Sequence, residues 1–356
     1  MPTIELTDLT RVEIEQALHD LGAEGYRAGQ IFQWIYQRGA TDFDAMTDLS
    51  QPLRQTLAAH FKISTPEVSR RDQSADGTEK FLLALSDGRR VESVFIPDTP
   101  AQTFCVSTQV GCAMGCGFCL TATMGLVRNL TPGEIVGQVR VLAGAVDLAG
   151  KGFNIVLMGM GEPLHNYDAV MAALRILCDR HGFALPPRRV TLSTVGLVPA
   201  IERLASEPLM PNLAISLHAS SEETRAQLVP TARKYSISDI LDACRQFPLK
   251  HRDRITFEYV LLAGVNDAAA DARRLATLLR GMKAKVNLIP LNPAAGIPYE
   301  RPSDDRIDQF GRILAEHHVL VSVRKSRGRD IRAACGQLAV EGQKKSPAQR
   351  LADHLS

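Results

Sequence analysis

Hydrophobic positions fall into three regimes along the chain. Over residues 9–61 they recur at helical spacing, as Ile14, Ala17, Leu18 and Leu21, then Ile31, Trp34 and Ile35 within 26–36, and again over 53–61. Thr10 followed by Glu13 predicts a capping box for the first of these helices. From Ile63 the period shifts toward two, with Asp76-Gly77 and Asp87-Gly88 as turn signals around a strand at 80–85. The next strand, 90–97, puts Glu92 on the same face as Val94 and Ile96. After Thr103 strand and helix patterns alternate: strands at 103–109, 154–158, 189–194, 212–218, 254–262, 285–291 and 320–325, with helices at 131–142, 167–178, 236–247, 268–279 and 303–317. Such alternation predicts an α/β fold, a partial (β/α)6 barrel whose parallel strands carry helices outside. The expected division is a helical accessory domain at 1–62, a β-hairpin extension at 63–100, the barrel at 101–330, and a loop and tail at 331–356. In folds of this kind the chemistry sits where strands end and loops begin.

Composition narrows the class. With 45% hydrophobic residues in 356, the chain is long enough for a sizeable core. Its start, MPTIELTDLT, lacks a basic segment leading into an apolar run, and no stretch approaches the ~18 apolar residues of a membrane span. A cytoplasmic protein without membrane contact is expected, and seven cysteines there argue for metal or catalytic use over disulfides. Net charge is only +2. The cations are nevertheless clustered, at Arg70-Arg71, Arg89-Arg90, Arg188-Arg189, Arg252/Arg254 and in the run Arg324, Lys325, Arg327, Arg329, Arg332, opposed only by Asp330. A local basic face of this kind can steer a phosphate backbone in a nearly neutral protein.

The strongest chemical signal is GCAMGCGFCL, which sets Cys112, Cys116 and Cys119 in a CxxxCxxC array. Three soft thiolates on one tight loop suit a shared metal centre, whereas disulfides across such short spans are strained. Structural zinc would call for a fourth ligand close by. A [4Fe-4S] cluster fits three cysteines better, one iron remaining free for a small molecule. Strand ends elsewhere carry polar or glycine-rich sequence: Gly159-Met160-Gly161-Glu162-Pro163, Ser193-Thr194, Ser216-Leu217-His218 and Asn292-Pro293. Glycines there permit close approach of a ligand, and Glu162 can accept from an ammonium group. Cys105, on the first barrel strand, is expected to look inward beneath the cysteine loop. Cys335 follows the basic run outside regular structure, where neighbouring arginines favour its thiolate. Cys178 and Cys244 fall on helix patterns and read as core. For Glu92 two placements stay open, a buried carboxylate with raised pKa or an edge position beside solvent.

The segments CVSTQVGCAMGCGFC, MGMGEPL, LSTVG, ISLHA, LIPLNP and RGRDIRAACGQLA, in this order and over nearly the whole chain, resemble the RlmN/Cfr family of radical S-adenosylmethionine (SAM) RNA methyltransferases. The resemblance implies a radical SAM barrel, a [4Fe-4S] cluster on Cys112, Cys116 and Cys119, and SAM, two per turnover, bound by Gly161, Glu162, Ser193, Ser216, Leu217, His218 and Asn292. It implies that Cys335 carries a methyl group to the base, that Cys105 resolves the protein–RNA adduct through a transient disulfide with Cys335, and that Glu92 is the proton acceptor. The implied product is adenine methylated at carbon 2 in 23S rRNA and at the adenine 3' to the anticodon in tRNA. An external one-electron donor and a monomeric enzyme are further expectations. Carbon-8 methylation, as in the Cfr branch, and a zinc-stabilised RNA-binding protein without catalysis are the alternatives.

Overall fold

The computed structural model describes residues 3–97, 101–146, 148 and 152–340. Three helices open the chain, α1 (Arg11–Asp20), α2 (Arg27–Phe32) and α3 (Gln51–His60). The Thr10/Glu13 capping box forms at the start of α1. Ile14, Leu18, Ile31, Phe32, Ile35 and Leu57 are buried, so the helical spacing read from the sequence is a packing face. The helix predicted across 26–36 divides: after Phe32 the turn widens over Gln33–Gln37, and the Arg38 N–H reaches back to the Gln33 carbonyl.

A single ten-stranded sheet forms the body. Its strands are β1 (Glu67–Gln73), β2 (Glu79–Ala84), β3 (Arg90–Ile96), β4 (Thr103–Cys105), β5 (Asn154–Leu157), β6 (Val190–Thr194), β7 (Asn212–Ser216), β8 (Ile255–Leu261), β9 (Ala284–Pro290) and β10 (Leu320–Val323). Spatial order follows chain order from β1 to β10. β1 to β4 pair antiparallel, through turns at Gly77 and Gly88 where φ is +81° and +78°. From β4 onward every pair is parallel. Parallel neighbours require crossovers, and these are supplied by α4 (Pro132–Ala145), α5 (Tyr167–Cys178), α6 (Val198–Ala205), α7 (Glu222–Leu228), α8 (Ile237–Gln246), α9 (Ala269–Leu278) and α10 (Asp304–Glu316). Since β1 and β10 are the two edges, the parallel part is a barrel left open, six strand–helix units plus a seventh strand.

One predicted strand is shorter than its pattern. The run 103–109 leaves the ladder after Cys105 because the Gln138 side chain takes over: its Oε1 accepts from the Ser107 N–H at 2.7 Å and its Nε2 donates to the Ser107 carbonyl at 2.8 Å. Gln109–Gly111 then pairs with Leu126–Asn129, which frames the cysteine loop. The helical unit docks on the first crossovers through Arg11 to Asp179 at 2.9 Å and the Gly133 N–H to Asp8 at 2.8 Å. Among the described residues, no helix is long and apolar enough to cross a membrane.

Candidate active site

The open end of the barrel holds two chambers that share a wall. The inner one, about 150 Å³, is lined by Cys112, Cys116, Cys119, Gly161, Glu162, Ser193, Ser216, His218, Asn292 and Cys335. Of the residues expected around SAM only Leu217 is missing from that wall; its side chain is buried, although its flanking residues face the chamber. The outer chamber, about 570 Å³, is lined by Cys105, Cys119 and Cys335 and rimmed by Arg188, Arg189, Lys285, Lys325 and Arg327. Two basic clusters far apart in the sequence therefore converge on one mouth.

The cysteine loop is fixed by main-chain bonds on both sides, Cys112 N–H to the Gly125 carbonyl at 3.1 Å and Gly117 N–H to the Leu228 carbonyl at 2.9 Å. Burial pushes the Cys112 thiol up to about 12 and the Cys116 thiol well above its ordinary value, so these groups bind metal only by releasing protons. Among the described residues no three His, Cys, Asp or Glu side chains converge as they would on a single ion. A cluster in which each thiolate binds a different iron needs no such convergence. Three soft thiolates carried by one loop are a donor set that fits an iron–sulfur group.

Glu162 is buried and already half satisfied: Oε1 accepts from the Leu164 N–H at 3.0 Å and Oε2 from the Val195 N–H at 2.8 Å. Burial raises its pKa to about 7, so a cationic ligand group would stabilise the ionised form. Asn292 gives its amide N–H to the Cys335 carbonyl at 3.2 Å while its Oδ1 is buried without a partner. An orphaned acceptor in a chamber wall is what a ligand donor would satisfy. His218 is held at φ +60°, accepts from the Val260 N–H at 3.1 Å and meets the Phe118 ring edge-on at 4.8 Å. Burial depresses its pKa to about 3, so it faces the chamber as a neutral imidazole.

Gly161 closes the approach. Its φ is +105°, and a Cβ there would lie 2.6 Å from the Gln109 Cβ. Gly161→Ala is expected to cost about 1–3 kcal/mol, read as a lower urea midpoint at unchanged slope.

The predicted catalytic residues are not all brought together. Cys335 lies on the shared wall, Cys105 in the outer chamber alone. Glu92 is buried, as one of the two readings held, but it lines neither chamber. Alternation did not distinguish the two faces of β3, because Val91, Ser93 and Phe95 are buried as well. Three site residues escaped the sequence reading. Arg225 is 1% exposed, and its guanidinium donates to the Ser216, Leu217 and Val195 carbonyls, pinning two chamber loops. Gln109 accepts from the Glu162 N–H at 2.8 Å. Glu258, buried at the junction of the chambers, accepts from Asn287 at 2.7 Å and has Arg324 as its main compensating cation.

A partial barrel whose open end gathers three thiols on one loop, with an ammonium-ready carboxylate and an unmet acceptor opposite, is the build of an enzyme that cleaves SAM at an iron–sulfur cluster. The family model of the radical SAM superfamily matches residues 106–276, and that of the ribosomal RNA large subunit methyltransferase N-terminal domain matches 4–63. The crystal structure of a radical SAM methyltransferase from Sphaerobacter thermophilus is similar at TM-score 0.89 and 49% identity, over 95% of this chain and 99% of that one. The chain is a radical SAM methyltransferase, a class that implies a [4Fe-4S] cluster and SAM. The dual-specificity RNA methyltransferase RlmN of Desulfosudis oleivorans is 49% identical over 95% of this chain and 91% of its own. That of Geobacter sulfurreducens is 50% identical over 94% and 92%. The chain belongs to the RlmN family.

Proposed function

We propose that this enzyme methylates carbon 2 of a specific adenine in 23S rRNA and of the adenine 3' to the anticodon in tRNA, using two molecules of SAM per turnover. The observation that carries the reading is the place of Cys335. It faces both chambers, whereas Cys112 and Cys116 face only the inner one and Cys105 only the outer. A thiol so placed can be loaded from one side and unloaded on the other. Carbon 2 of adenine is a poor nucleophile, which makes direct displacement on a sulfonium slow and a carrier useful.

In this reading Cys112, Cys116 and Cys119 hold the cluster, and Gly161, Glu162, Ser193, Ser216, Leu217, His218 and Asn292 surround SAM. When bound, the cluster and SAM would supply a methyl group, a carbon radical able to remove hydrogen from that methyl once an external donor gives one electron, and an acceptor for the single electron that the base adduct must lose. Cys335 accepts the methyl on sulfur and presents the carbon to an adenine unstacked into the outer chamber. Glu92 takes the proton that leaves carbon 2. Cys105, after giving up its proton, attacks the sulfur of Cys335; the carbon–sulfur bond breaks with its electron pair going to the base-bound carbon, which takes up a proton to become the methyl group, and a disulfide remains for reduction by thiols. The basic rim would hold RNA phosphates. We place the functional divisions at 1–62, 63–100, 101–330 and 331–356, the last reaching beyond the described residues at 341. We take the enzyme to act as a monomer in the cytoplasm.

Mapping methyladenosines in RNA from cells without the protein, against standards for the 2- and 8-methyl isomers, tests the proposal. Loss of 2-methyladenosine at one rRNA position and in tRNA is expected. Loss of the 8-methyl isomer, or no change alongside a colourless zinc-containing protein, would refute it.

A further inference from the structure

Lys80 and Glu92 meet across β2 and β3, Nζ to Oε1 at 3.1 Å, with side chains 5% and 4% exposed. Burying two such charges costs more than an apolar pair would unless the remaining donors and acceptors are met. Here one segment supplies a further partner to each. Glu92 Oε2 accepts from the Ala339 N–H at 2.9 Å, and Lys80 Nζ reaches the Arg332 carbonyl at 3.4 Å. Residues 332 and 339 bracket Cys335. The same extension also holds the approach to that segment: Ser74 Oγ donates to Asp330 at 2.6 Å, and the Gly328 N–H donates to Asp76 at 3.0 Å. Between the clasps the backbone turns at positive φ, +53° at Arg332 and +81° at Gly336. With the segment seated, Glu92 lies beneath it and outside both chambers.

We propose that Lys80 is a positioning residue for methyl transfer: its ammonium orients Glu92 and favours its carboxylate form, and tethers the Cys335 segment over it, so that lifting the segment uncovers a group placed to take the proton of the base. The proposal rests on Glu92 being the proton acceptor. Burial is the largest influence and raises the pKa of Glu92 on balance; Lys80 is the first force against it, then the Ala339 N–H, with Arg70 of β1 a lesser one. From the Cys335 segment Glu92 receives a main-chain N–H, and Met160 Sδ accepts its own N–H. Removing the ammonium therefore extends protonation of Glu92 to higher pH, and the acid limb of the reaction moves the same way.

The test is a pH series of single turnovers by cluster-loaded enzyme already methylated on Cys335. In parallel, difference infrared spectroscopy follows the protonated carboxyl band that Glu92→Gln removes. Lys80→Met is expected to lose roughly 10- to 100-fold on the acid side and to converge on the wild type at alkaline pH. Lys80→Arg restores the profile, and the infrared titration of Lys80→Met moves upward with its rate. If the methionine variant does not fold, Lys80→Gln takes its place. A rate profile parallel to the wild type at every pH, or an unmoved infrared titration, overturns the role of Lys80. Wild-type product formation by Glu92→Gln overturns instead the assignment of the proton acceptor.

Discussion

Cys335→Ala is expected to abolish RNA methylation, by roughly a factor of 10⁴ or more as for loss of an essential nucleophile, while iron, sulfide and reductive cleavage of SAM remain. The segment around Cys335 is held through its backbone: the Leu120 N–H donates to the Gly336 carbonyl at 2.8 Å, Thr121 Oγ to the Leu338 carbonyl at 2.6 Å, and Asn292 to the Cys335 carbonyl at 3.2 Å. None of these bonds uses the thiol, and the residue is only half-buried. Truncation at Cβ thus removes the carrier sulfur and leaves the chambers standing. Following a labelled methyl group from SAM separates the cases. In the wild type the label appears first on protein and then on RNA; in the variant it appears on neither. Labelled RNA made by Cys335→Ala would mean that the methyl group travels without a carrier.

How much of this was legible in the chain follows from how local each signal is. The sheet order equals the chain order, so strand–helix alternation was enough to place the barrel, and its rim residues followed from being strand ends. The departures come from contacts between distant residues. Gln138, about two turns inside α4, ends β4 early by taking both main-chain groups of Ser107. Arg225 sits in Glu222-Glu223-Thr224-Arg225, a polar stretch outside the helices expected from periodicity, yet its guanidinium is the buried pin of two loops. Lys80 lies in a strand whose hydrophobic neighbours fixed the pairing, and no periodicity could show that its ammonium meets Glu92 diagonally across the ladder. Chemistry-bearing residues with distinctive spacing were readable. Those that act by supporting them were not, because support is a property of the packing.

Cys105→Ala is expected to stop turnover at a different point, with RNA covalently bound to Cys335. Cys105 is 6% exposed and shares the outer chamber with Cys335, so a disulfide between them needs their α-carbons within ~7 Å at the moment of attack. Burial first, and then the neighbouring Cys335, push the Cys105 thiol up to about 12, and Arg324 opposes them. At neutral pH the resolving group is therefore a protonated thiol. Its thiolate fraction rises about tenfold for each pH unit below that value, so resolution in the wild type should quicken with pH while attachment of RNA need not. In the variant the adduct should accumulate toward one RNA per enzyme, seen as a retarded band on a denaturing gel and as a nucleotide-bearing Cys335 peptide by mass spectrometry. Adding Cys335→Ala to Cys105→Ala should erase the band, which fixes the site of attachment. Steady production of free methylated RNA by Cys105→Ala would show that the adduct is released without the second thiol.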